Sequence, residues 1–124
     1  MADVTYNLSL RASRDNLNVL TQVSGITANM SVSGMSSVVL PLSATTVSIS
    51  TANLSSVGIA YLQNISTDTA TITTTKVGIV SGGSFLPFTT LLPGEAAILR
   101  LASGSQFAAQ GSTAARLRVD ILEG

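Results

Sequence analysis

The chain has 124 residues, enough for one domain with a real core but little margin. Six basic and six acidic residues cancel, and together they fill only 10% of positions, against roughly 25% in an ordinary soluble domain. A phosphate backbone therefore has no basic patch to hold it, and an aromatic content of 4% offers no stacking platform for single strands, so nucleic acid is not an expected partner.

Serine and threonine take the place of charge, at about a quarter of the sequence. A surface made soluble by hydroxyls loses little hydration when it docks, which suits a chain packed against neighbours; it equally suits a Thr-rich β protein. Cysteine is absent, which excludes a disulfide framework. The opening MADVTYNLSLRASRDN has no charged segment followed by an apolar one, so an export signal is not expected. No apolar run approaches the roughly 20 residues that span a bilayer, so a membrane is not expected either. The expectation is a protein made in a cytoplasm. Asn-x-Ser sequons at Asn7, Asn29, Asn53 and Asn64 then have no route to glycosylation.

In chain order the dominant period is two, the mark of half-buried strands. Val4, Tyr6, Leu8 and Leu10 alternate with polar neighbours and predict a strand over 3–10. Residues 1–20, with Asp3, Arg11, Arg14 and Asp15, are read either as an N-terminal arm or as a first core strand. The stretch SRDNLNVLTQV (13–23) is the nearest approach to a helical stripe, but no clean apolar face follows its capping residues. Further strands are predicted over 17–24, 27–33, 37–42, 45–51, 57–63, 69–77, 84–91, 95–102 and 115–122. Between them fall Gly25, Gly34, Pro41, Gly58, Gly78, Gly82-Gly83, Pro93-Gly94, Gly104 and Gly111. This spacing predicts an all-β fold: an antiparallel β-sandwich, jelly-roll or immunoglobulin-like, over residues 21–124.

Three local readings matter for function. Pro93 and Gly94 sit between two apolar runs in TTLLPGEAAILRL and predict a tight turn, with proline at its second position and a positive-φ glycine at its third; the turn is expected to set the register of a hairpin. Ser81-Gly82-Gly83-Ser84 is glycine-rich, but it lacks the lysine and the following helix of a phosphate loop and reads as a hairpin turn. Phe85, Leu86 and Phe88 flank Pro87, which suits a strand covered on both sides or a strand end turning into the core.

Catalytic chemistry is not expected. The chain has no histidine, hence no imidazole base or ligand, and no thiolate. Its acids are Asp3, Asp15, Asp68, Glu95, Asp120 and Glu123, with no loop holding enough of them for calcium. Asp68 and Glu95 read as turn residues, not as a glycosidase pair. No cofactor, metal or small-molecule substrate is expected. Arg100, Arg116 and Arg118 lie on predicted strands opposite the apolar positions. They form either a docking patch for an acidic partner or a solvated face. Together with Arg11 and Arg14 they are the candidate interface residues.

Three segments carry a resemblance: GIAYLQN (58–64), GGSFLPFTTLLPGEAAILRL (82–101) and AARLRVDILEG (114–124). Over residues 56–124 the chain resembles small virion proteins of tailed bacteriophages, of the capsid cement or decoration type. Their order is a strand ending in asparagine, a Leu-x-Pro-Gly-Glu turn between apolar strands, and a C-terminal strand ending in acid. The chain departs from that pattern after Asn64, where Ile65-Ser66-Thr67-Asp68-Thr69 replaces a Leu-Asp-x-x-Asn run. The resemblance implies a β-sandwich that binds the major capsid protein on the outside of the shell as a dimer or trimer and stabilises it, located in the virion. Many weak contacts repeated by symmetry would then give avidity. The alternative reading is a receptor- or glycan-binding module of a tail fibre; the scarcity of aromatics for sugar stacking counts against it.

Overall fold

The computed structural model describes residues 3–30, 32–67, 74–112 and 114–124. Ten strands and no helix are present among them: β1 (Val4–Arg14), β2 (Leu17–Ala28), β3 (Met35–Leu42), β4 (Val47–Ser48), β5 (Val57–Asn64), β6 (Thr75–Ser81), β7 (Ser84–Leu91), β8 (Ala96–Arg100), β9 (Phe107–Gly111) and β10 (Ala115–Glu123). The chain divides into two compact units, residues 1–31 and residues 32–124.

The first unit is an antiparallel hairpin of β1 and β2. Arg14 pairs with Leu17, so Asp15 and Asn16 make the turn, and Asp15 has a φ of 52°. Aspartate tolerates this left-handed conformation better than most residues. The stretch 13–23 is thus strand, turn and strand. Near the open end the pairing skips from Tyr6–Ile26 to Leu8–Val23, leaving one extra residue on β2. Asn7 fills this bulge, its Oδ1 accepting the Gly25 amide at 2.7 Å. Asp3 accepts the Met30 amide at 2.9 Å beyond the end of β2. Residue 20, where an arm was expected to end, lies inside β2.

The second unit is a β-sandwich of two antiparallel four-stranded sheets, ordered β3-β10-β5-β8 and β4-β9-β6-β7. Strands pair in a nested series: β6 with β7, β5 with β8, β4 with β9, β3 with β10. The unit is therefore one long hairpin, with its tip at Gly82-Gly83, wound over itself into two sheets. Two further pairs, β5 with β10 and β6 with β9, complete the sheets. This is jelly-roll winding, and it decides between the two sandwich types expected. Alternation on β10 buries Ala115, Leu117, Val119 and Ile121 against Leu42, Ala60, Leu62, Val77, Leu91, Phe107 and Ala109 from the neighbouring strands and the opposite sheet.

Several expected strands shift. β2 takes the first two residues of the run 27–33, and the other described residues of that run are in no strand. Only Val47 and Ser48 of 45–51 are paired. β9, FAAQG, was not expected at all: two alanines carry no strand-like pattern. Their smallness instead fits a fully buried interior strand, with Ala108 and Ala109 both at 0% exposure. Asp68 and the first part of the 69–77 run lie outside the described residues.

Candidate interaction surfaces

Pro93-Gly94 does form a turn, but its partners differ from those expected. Leu92 O accepts the Glu95 amide at 2.9 Å and Gly94 has a φ of 86°, which is a reversal of the type II kind. The flanking strands do not pair with each other: β7 lies in one sheet and β8 in the other. The turn is a corner between sheets, not a hairpin. The physical reason is twist, since turns of type I and II splay their flanking strands, whereas primed turns keep them paired. Glu95 closes the corner by accepting the Leu92 amide at 2.7 Å.

Asn64, fully buried at the end of β5, anchors this corner from below. Its amide and carbonyl bond Glu95 O and the Gly94 amide, at 3.0 and 2.8 Å. Its side chain donates to Leu91 O at 2.9 Å and accepts from the Ser66 amide and hydroxyl. Ser66 Oγ in turn accepts the Arg116 amide at 2.9 Å. One asparagine therefore ties β5, the β7–β8 corner and β10. The sequence signal was its place as the last residue of an apolar strand.

The three expected arginines of the sandwich share a face. Arg116 and Arg118 alternate with the buried residues of β10, and Arg118 lies across from Gln63. Tyr61 pairs with Ile98, and two residues along Arg100 pairs with Ile59, which places Arg100 on the same side. They are not equivalent. Arg118 donates from Nε to Asp120 Oδ2 at 2.9 Å, and its guanidinium lies 5.7 Å from the Tyr61 ring centroid. The Ser37 hydroxyl donates to the other oxygen of Asp120. The pair keeps 51% of the arginine side chain in solvent, so it contributes little to stability. Its effect is to hold the guanidinium over the Tyr61 ring and to offset its charge.

Arg11 and Arg14 belong to the hairpin instead. Arg11 faces Leu20 on the polar side, and Arg14 sits beside the turn, paired with Leu17. The other side of this hairpin was legible only in part. Alternation puts Val4, Tyr6, Leu8, Leu10 and Ala12 on one face of β1, and register adds Leu17, Val19, Val23, Ile26 and Ala28 from β2. Half of these residues are exposed, Leu10 at 63%, Leu17 at 57% and Val23 at 52% among them, and the other half are partly buried. A concavity of about 290 Å³ lies over Leu8, Leu10, Thr21 and Val23. The missed signal was Asp15-Asn16, a turn dipeptide between two alternating runs.

At the far end of the sandwich Glu123 is buried. It accepts the Ser55 and Ser56 amides at 2.9 and 3.1 Å, and the Ser55 hydroxyl. The Ser55 amide holds its carboxyl below the ordinary value near 4.5, with Ser56 and the Ser55 hydroxyl acting the same way against the opposing effect of burial.

No group of three or more acidic residues that could hold a metal occurs among the described residues. Shallow concavities of about 260 and 190 Å³ in the second unit have Lys76 as their one charged lining residue. A comparison with known protein families finds no match, and neither does a comparison with curated proteins.

Proposed function

We propose that this is a non-enzymatic structural protein of a virion, a capsid cement or decoration protein that binds the outside of a phage shell. The observation that carries the reading is the hairpin. Two long strands present an apolar face to solvent, with Arg14 at the turn as its one charge, and a two-stranded hairpin by itself is at best marginally stable in water. Such an element suits a chain held by other proteins. The β-sandwich supports the reading as a rigid carrier, and the likeness of residues 56–124 to small phage virion proteins supplies the kind of assembly. The major capsid protein is the proposed partner, in a virion assembled in the host cytoplasm.

The test is co-sedimentation of the protein with purified phage particles on a gradient, with copies counted by mass spectrometry. Hundreds of copies travelling with the shell are expected. A handful of copies, or association with tails alone, would move the protein to a tail-fibre role. No association would remove the virion reading.

A further inference from the structure

From the way Glu123 closes one end of the sandwich, we infer that its carboxylate is an acid-sensitive clasp: protonation releases the Ser55–Ser56 loop and the chain at Gly34 from the end of β10, while the rest of the sandwich stays closed. The inference concerns the second unit alone and does not rest on shell binding.

Three segments meet at this end. β10 arrives with Glu123, which pairs with Val57 of β5 after a register shift. The Glu123 amide donates to Gly34 O at 3.1 Å, one residue before β3 begins. The Gly124 amide donates to Ser56 O at 3.1 Å, and the Ser56 hydroxyl donates to Gly124 O at 3.2 Å. The Glu123 side chain lies across all of them. Its Oε1 accepts the Ser55 amide and its Oε2 the Ser56 amide. Its stem fills the space beside Gly34, where a Cβ would come within 2.5 Å of Glu123 Cγ and 3.0 Å of Oε1. Glycine at 34 is the room that the carboxylate takes.

Charge makes the clasp sensitive to acid. Both carboxylate oxygens face an amide N–H, so a proton on either one sets a donor against a donor. Only the ionised form suits these partners, through charge-assisted hydrogen bonds. No cation shares the task. Residues 32–37, 49–58 and 101–106, which surround this end, contain no Asp, Glu, Tyr, Lys or Arg. Elsewhere on β10 and β5, Asp120 is engaged with Ser37 and Arg118, and Tyr61 with Gln63. Arg100 ends β8 across from Ile59, and among the described residues no ion pair joins it to Glu123. A carboxyl on Gly124 would carry the same sign as Glu123. Neutral donors alone therefore hold a carboxylate that is 5% exposed.

The surroundings let this end open by itself. Ser55 and Ser56 line a concavity of about 190 Å³ with Ser103, Gly104 and Ser105, so the loop has open space beside it. β3 is an edge strand paired with β10 alone, and its entry has no second neighbour to hold it. The principal core cluster contains no ionisable residue, which gives acid nothing to act on there.

The test is amide exchange by NMR on the full ¹⁵N-labelled chain, from neutral pH down through the ordinary carboxylate value near 4.5. The Ser55 and Ser56 amide shifts are expected to follow one titration with its midpoint below that value. Below the midpoint the Glu123 and Gly124 amides, which hold Gly34 and Ser56, should lose protection about tenfold or more, after correction for intrinsic exchange at each pH. The Asn64 amide, bonded to Glu95 O at the other end of β5, should keep its protection. Glu123→Gln should show the opened pattern at neutral pH and no transition. Protection that survives once the carboxyl has titrated would overturn the inference. So would parallel loss at Asn64, which means unfolding of the whole sandwich, or a transition that persists in Glu123→Gln. The wild-type titration decides by itself if that variant does not fold.

Discussion

Thr75 and Glu123 show how a buried polar side chain is settled, or not, by its immediate neighbours. Thr75 is fully buried, and its hydroxyl has no hydrogen-bond partner among the described residues. Valine has the same shape without the unsatisfied group. Thr75→Val is therefore expected to raise stability by about 1 kcal/mol, read as a rise in Tm of about 4 °C; a fall would mean that the hydroxyl is satisfied. Glu123 is the opposite case, with partners for its charged form. Its carboxyl is held below the ordinary value in the folded chain. The stability it contributes is then present above the unfolded value and is lost as pH falls through the folded one. Melting temperature should drop as pH falls below the ordinary carboxylate value near 4.5, and Glu123→Gln should start lower and drop less. Parallel curves for the two proteins would show that Glu123 is not the group responsible.

At the level of elements, the Pro-Gly corner separates what a local sequence can say from what it cannot. Pro93 and Gly94 dictate a reversal, and a reversal is present. Which strands flank it as partners depends on Asn64, which lies far away in sequence and bonds both sides of the corner. Gly94→Ala, at a φ of 86°, should cost about 1–2 kcal/mol for the left-handed conformation. A urea midpoint unchanged from wild type would show that the corner relaxes at no cost. A second glycine has a packing reason: a Cβ on Gly78 would lie 2.2 Å from Leu86 O and 2.5 Å from Pro87 Cα, at the bulge between β6 and β7. This close approach is what lets β7 bulge at the sheet edge, and no local pattern announces it.

For the molecule as a whole, the division at residue 32 makes a direct prediction. Every residue of the principal hydrophobic cluster lies at Leu42 or beyond. Residues 32–124 alone should therefore fold, with near-UV circular dichroism and a Tm within about 4 °C of the full chain, a shift worth roughly 1 kcal/mol. Failure to fold would show that the hairpin contributes to the sandwich. Docking on particles tests the arginine face separately. Replacing Arg100, Arg116 and Arg118 by serine should weaken shell binding and flatten its salt dependence, most through Arg100 and Arg116, which, among the described residues, have no acidic partner of the kind Arg118 has in Asp120. Unchanged binding would leave these residues as a solvated face.

The sequence by itself determined the strand period, the all-β class, the Gly-Gly and Pro-Gly reversals, and the poverty of catalytic groups. Each of these rests on neighbours within a few residues, where alternation and backbone angles act. It also carried the alternation of β1, and Arg116 and Arg118 opposite the apolar residues of β10. Only the tertiary structure decided the jelly-roll winding, because nested pairing joins β3 to β10 and β5 to β8 across long stretches of chain whose registers are set by burial. It alone revealed β9, whose alanines signal nothing until two sheets close over them. It alone showed that the alternating residues of β1 and β2 come together on one face of a hairpin, half of them exposed to solvent. Alternation states that a strand has an apolar side; whether that side is covered depends on what the rest of the chain, or another chain, places against it.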